Sequence, residues 1–275
     1  MDNLILILLA TGGSGLLSAA VAGLFVLLPD RLRSRCLPHL VSFATGALLG
    51  AALMALVPHA LEGADEQRLH AVGATLLAGI GLFFILEKFL LWRHCHTHEC
   101  EEHGVTAQHV PTDHQRRQTS GTLVLVGDAI HNALDGVLIA GAVLADPHLG
   151  LVAALAIAAH EIPQEVGDFA VLLHAGMSRR KAFFWNLVVS LTAVVGGLVG
   201  YFALREALSV LPYVLALAAA SMLYVAMADL IPGLHRRVDS RASLAQVFWI
   251  AAGVAVIVIA EQAAHGSGFF DFAVN

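Results

Sequence analysis

The chain has 275 residues, of which 58% are apolar and 13% charged, against about 25% charged in an ordinary soluble domain. Its mean hydropathy of +0.77 excludes a soluble globular protein, so runs free of charge become the useful signal, because a spanning helix needs about 20 apolar residues. The formal charge of −6 says little about partners, since the acids that matter fall inside apolar runs.

Asn3 to Pro29 carries no Asp, Glu, Lys or Arg, and neither do Cys36 to Leu61, Leu69 to Leu86, Ala182 to Leu204 or Ala207 to Ala228. Ala242 to Ala260 is just long enough to span. Two further stretches, Gly121 to Ala145 and His148 to Ala175, are apolar but interrupted by acids and imidazoles. Eight spans are therefore expected. Lipid offers no partner to a bare backbone group, so each should be a helix in an all-α membrane protein. The small-residue pairs Gly46/Gly50 and Gly196/Gly200 are candidates for close helix approach. The first run lacks the positive flank of a cleavable signal peptide and is kept as a helix.

Orientation follows from the basic residues, because short cytoplasmic loops retain positive charge. Arg31, Arg33 and Arg35 follow span 1, Lys88, Arg93, Arg116 and Arg117 follow span 3, Arg179, Arg180 and Lys181 follow span 5, and Arg236, Arg237 and Arg241 follow span 7. Only Arg68 and Arg205 fall on the other side, so both termini are expected to be extracytoplasmic, in a multi-pass protein of the cell (inner) membrane. The whole of 1–275 reads as one transmembrane domain, with residues 93–120 as its single long cytoplasmic loop. That loop carries His94, His96, His98, His103, His109 and His114 with Cys95 and Cys100. It reads either as a loose zinc-type donor set or as a solvated linker. The three cysteines, Cys36, Cys95 and Cys100, are expected to be reduced thiols.

Ionisable groups at bilayer depth are costly, so their default reading is functional. Span 4 reads Asp128-Ala-Ile-His131-Asn132-Ala-Leu-Asp135-Gly136, which on a helix puts His131 and Asp135 on one face with Asn132 beside them. Span 5 reads His160-Glu161-Ile162-Pro163-Gln164-Glu165-Val166-Gly167-Asp168. There His160 pairs with Gln164, and Glu161 with Glu165, at i, i+4 on faces about 100° apart. Pro163 cannot close the bond to the Ala159 carbonyl, so a kink or opening is expected. Nitrogen and oxygen donors from two helices joined by Asp146-Pro147-His148 suit a divalent transition metal. A zinc-protease motif would need histidine at position 164 and no proline between, and without a Gly-Lys dipeptide there is no Walker A loop.

These residues resemble the ZIP (Zrt-, Irt-like protein) family of metal transporters. His131-Asn-Ala-Leu-Asp-Gly136 is similar to its fourth-helix motif, and His160-Glu-Ile-Pro-Gln-Glu165 with Val-Gly-Asp-Phe169 is similar to the fifth-helix signature of its Catsup-like branch. Gly46 to Ala60, Leu86-Glu-Lys-Phe89 and Leu223 to Pro232 extend the likeness to helices 2, 3 and 7, and the histidine-rich loop sits in the family's usual place.

The resemblance implies a non-enzymatic carrier moving Zn²⁺, with Fe²⁺, Mn²⁺ and Cd²⁺ as further candidate substrates, towards the cytoplasm. It implies an eight-helix bundle with inverted helical repeats, usually dimeric, in which helices 1, 4, 5 and 6 slide against 2, 3, 7 and 8. Expected partners are divalent metal ions, membrane lipids and a second copy of the chain, and no nucleic acid. Carried over by position, His131, Asp135, His160 and Gln164 form the primary metal site, and Asn132 and Glu161 hold or hand on a second ion. Gln164 departs from the family, which has a glutamate or, in this branch, a histidine there. A bridged two-metal centre is therefore replaced by one tight site with a weaker neighbour. His59 and Asp128 are candidates for an entrance, and Glu165 and Asp168 for an exit. Asp229, His235, Glu261 and His265 read equally well as interfacial caps.

Two other readings remain: an intramembrane metal-dependent hydrolase that uses the same ligands to activate water, and a metal sensor or buffer in which the histidine-rich loop acts and the bundle anchors. Deleting Cys95 to His114 separates the sensor from the carrier, because the carrier retains flux with altered affinity. Imidazoles bind metal in the neutral form, so metal uptake is expected to weaken as pH falls towards about 6.5, the unperturbed imidazole value. Uptake measured from about pH 5 to 8 checks this, and a flat profile contradicts it.

Overall fold

The computed structural model describes residues 3–95, 113–235 and 240–265. Residues 96–112, which hold most of the histidine-rich loop, lie outside the described residues, as do Arg236 and Arg237. Eight helices are long and apolar enough to cross a membrane. They are α1 (Asn3–Leu27), α2 (Arg31–Leu61), α3 (Glu66–Leu86), α4 (Val124–Ala145), α5 (Pro147–Leu173), α6 (Arg179–Leu204), α7 (Leu208–His235) and α8 (Ala242–Ala263). Each coincides with one of the apolar runs, and there is no strand among the described residues. The protein is an integral, multi-pass membrane protein.

Local chemistry sets the joints. Asp146 caps α5, its carboxylate accepting from the backbone N–H groups of His148 at 2.7 Å and Leu149 at 3.1 Å, and Pro147 starts the helix without a wasted donor. α5 then runs as hydrogen-bonded helix through Pro163. The proline leaves one bond unmade without a break in the helix. α6 contains a turn at Leu191, between Ser190 and Thr192.

The helices pair as α1 with α5, α4 with α6, α2 with α8 and α3 with α7, while α4 packs on α5 and α1 on α6. Exchanging α1 with α6, α2 with α7, α3 with α8 and α4 with α5 leaves this pattern unchanged. The contacts of α5 with α2 match those of α4 with α7 in the same way. Helix pairs related so run in opposite directions, which is the signature of an inverted repeat. A local irregularity obeys the same exchange. α2 carries a π-helical turn at Ala51–Leu56 followed by Val57-Pro58, and α7 carries one at Val225–Leu230 followed by Ile231-Pro232. A proline cannot donate to the carbonyl one turn back, and a π turn shifts the bonding register just before it.

Glycines permit the closest crossings. A Cβ on Gly136 would strike the carbonyl oxygen of Ala193, and one on Gly196 that of Ala133, so α4 and α6 touch backbone to backbone. Gly46 and Gly253 play the same part between α2 and α8, against Ile250 and Phe43. Gly50 and Gly200 stand in looser contacts of 3.3 Å and 2.9 Å. Gly196→Ala is expected to destabilise the protein by about 1–3 kcal/mol, the usual cost of overpacking, in detergent unfolding. Gly81→Ala, where a Cβ meets nothing within 4 Å, is the near-neutral control.

Candidate metal centre

His131 and Asp135 occupy the middle of α4, and His160 and Glu161 the middle of α5. Their side chains meet between the two helices, with four candidate ligand atoms all within 4.8 Å of one another. The two Nε2 atoms are 3.2 Å apart. His131 Nε2 lies 3.7 Å from Asp135 Oδ2 and 3.6 Å from Glu161 Oε1, and His160 Nε2 lies 3.4 Å and 3.6 Å from the same two oxygens. A tetrahedral zinc with bonds of about 2.0–2.1 Å holds its donors about 3.3–3.4 Å apart. The cluster is therefore close to the size that one such ion requires.

Orientation supports the same use. The Nδ1 of His160 faces the carbonyl of Ala156 at 3.4 Å. Donating its proton there leaves the Nε2 lone pair for the cluster, the second-sphere arrangement usual for a ligating histidine. Asp135 Oδ2 and both carboxylate oxygens of Glu161 are buried without a hydrogen-bond partner. Uncompensated carboxylate oxygens in a protein interior are costly, and the sequence places no Lys or Arg in α4 or α5 to offset them. Side-chain exposure is 22% for His131 but at most 4% for the other three, so one ligand opens towards a route for exchange.

The amide nitrogens of the other two candidate residues point to Asp128. Gln164 Nε2 donates to Asp128 Oδ1 at 3.0 Å, and Asn132 Nδ2 donates to the same oxygen and to the Asp128 carbonyl, both at 3.1 Å. Glu161 lies in the cluster with His131, Asp135 and His160, and both amides donate to Asp128. His160 and Glu161, adjacent in sequence, both reach the cluster.

Glu165 is fully buried. Its Oε1 accepts from Ser18 of α1 at 3.0 Å and from Ser190 of α6 at 2.6 Å, and its main-chain carbonyl accepts from Asn186 at 3.3 Å. Ser18 and Ser190 carry no signal in the sequence, since a serine in a membrane helix is ordinary. His59 Nδ1 approaches Glu261 Oε1 at 3.8 Å, far along the chain from the cluster, on α2 and α8. The side chains of Asp229 and His265 lie outside what is described.

Comparison with known proteins decides the family. The family model described as "ZIP Zinc transporter" matches residues 3–261. The chain belongs to the ZIP family. It is 32% identical over 272 residues to the zinc transporter ZIP13 of Pongo abelii, covering 89% of this chain and 76% of that one. It is 31% identical to ZIP4 of Mus musculus over 73% of this chain but only 39% of the relative, and 28% identical to the zinc transporter SLC39A7 of the same species over 94% and 70%. These relatives include the Catsup-like branch, whose signature α5 resembles. ZIP membership sets the class of activity as zinc transport rather than enzymatic turnover.

Because Gln164 and Asn132 donate to Asp128, Gln164→Ala and Asn132→Ala are expected to weaken Zn²⁺ binding about 10-fold, in the range for outer-shell residues. Glu161→Ala should weaken it by more than about 100-fold. Calorimetric titration of the purified protein checks the ranking.

Proposed function

We propose that this chain carries Zn²⁺ across the membrane towards the cytoplasm through the cluster of His131, Asp135, His160 and Glu161, by alternating access. The observation that carries the reading is the donor set. Two imidazoles and two carboxylates converge at mid-membrane with no basic side chain on either helix. Two carboxylates balance the charge of one divalent ion, so the filled site carries no net charge through the low-dielectric layer, where an unbalanced one is expensive.

Binding must be strong enough to strip water from the ion and weak enough to release it. Mixed nitrogen and oxygen coordination, open at His131, meets both demands better than a closed thiolate cage. In this reading Asp128, with its Oδ2 buried and unpartnered, stands one helical turn from His131 as the next oxygen donor on the path. Asn132 and Gln164 hold its other oxygen in place. Fe²⁺, Mn²⁺ and Cd²⁺ suit the same donors less selectively.

Motion belongs to the packing. α1, α4, α5 and α6 contact one another, as α2 and α8 and α3 and α7 do, and the two groups meet chiefly where α5 lies on α2 and α4 on α7. We take the first group to move against the second, in a homodimer with both termini outside. In proteoliposomes, zinc uptake by the native protein should fall to background in His131→Ala and Glu161→Ala. Undiminished uptake in both variants removes the site.

A further inference from the structure

The outward face of the α4/α6 pair has a use of its own. α4 and α6 meet backbone to backbone at Gly136 and Gly196, and Thr192 ties them again by donating to the carbonyl of Ala129 at 2.8 Å. An open groove of about 900 Å³ runs along the flank of this crossing to the start of α6. Val126 and Ile130 line it from α4, and Trp185 and Val188 from α6, each between 36% and 51% exposed.

Among the described residues, Lys181 is the one charged side chain on this lining, and it stands at one end. From Lys181 to Val199, the far end on α6, the rise of about 1.5 Å per residue gives a length of about 27 Å, nearly the thickness of a bilayer core. The groove therefore lies along the lipid-facing surface, with a cation at one interface and hydrocarbon-compatible walls beyond it. Arg179 and Arg180 adjoin Lys181 in the first turn of a 12-residue helix, whose N-terminal end adds to the positive field. No Asp or Glu occurs between Asp168 and Glu206, so this stretch of chain brings no counter-charge. A basic site at the end of a cleft between membrane helices is suited to an anionic headgroup.

We propose that the groove binds an anionic phospholipid, with its phosphate at Lys181 and an acyl chain along Ile130, Trp185 and Val188. The headgroup lies on the side where Arg179, Arg180 and Lys181 emerge, the leaflet that the other basic loops also face. The site is independent of the metal cluster, which occupies the other face of α4. The inference stands without the transport reading, because lipid retention is measured with no metal present.

Native mass spectrometry of the purified full chain, titrated with phosphatidylglycerol or with phosphatidylcholine of the same acyl chains, tests it. The native protein should retain phosphatidylglycerol preferentially. Lys181→Gln should lower that retention about fivefold, the scale for one basic residue at an anionic surface, and erase the headgroup preference. Val188→Trp, which fills the groove and leaves the cations in place, should lose both lipids while unfolding at the native temperature. Native-like phosphatidylglycerol retention in either variant overturns the proposal. So does a disulfide between two chains carrying Ile130→Cys, which would show a second copy seated in the groove.

Discussion

Everything in this molecule is arranged around buried negative charge that the chain itself does not neutralise. Asp128, Asp135, Glu161, Glu165 and Asp168 lie on α4 and α5, two helices without a lysine or arginine. Placing carboxylates at bilayer depth costs several kcal/mol apiece unless something offsets it. Part of the offset is internal, through hydrogen bonds from amides and hydroxyls. Oxygens of Asp128, Asp135, Glu161 and Glu165 still lack a donor, and those of Asp135 and Glu161 face two imidazole nitrogens. A metal cation supplies the missing charge and uses the imidazole lone pairs at the same time.

Glu165 and Asp128 are each held through one carboxylate oxygen, by different means. Glu165 is held by hydroxyls from α1 and α6, so it joins three helices as well as being paired itself. Asp128 accepts from both amides, and the cluster of His131, Asp135, His160 and Glu161 holds two carboxylates where a set with Gln164 for Glu161 would hold one. That difference decides the charge of the loaded site: with Gln164 in place of Glu161 the complex of a divalent ion would stay positive. The glycines at the α4/α6 crossing let α6 come close enough for Thr192 to reach the Ala129 carbonyl, which stiffens the helix that presents His131. The resemblance to ZIP proteins, the inverted packing pattern and the donor chemistry are thus separate observations that agree.

Much of this was legible in the sequence because membranes make the signals coarse. Charge-free runs marked six of the eight spans and acid-interrupted apolar runs the other two, and the spacing of His131 and Asp135 placed both on one face of α4. What the helical period could not show was which edge of α5 turns towards α4. His160 and Gln164 share a face, yet the cluster holds His160 and Glu161, neighbours in sequence. The serines that hold Glu165 come from helices distant in the chain and look like any other small residue. The π turns in α2 and α7 were equally silent, although the repeated pairs Val57-Pro58 and Ile231-Pro232 mark where each one ends.

The most direct measurement is X-ray absorption at the zinc edge on the full chain loaded with one equivalent of Zn²⁺. A site built from His131, His160, Asp135 and Glu161 predicts only nitrogen and oxygen neighbours at about 2.0–2.1 Å, with outer scattering from two imidazole rings that is lost in the His131→Ala, His160→Ala double variant. Sulfur neighbours at about 2.3 Å, or a spectrum unchanged in that variant, would place the ion on Cys95, Cys100 and the loop histidines and contradict the account.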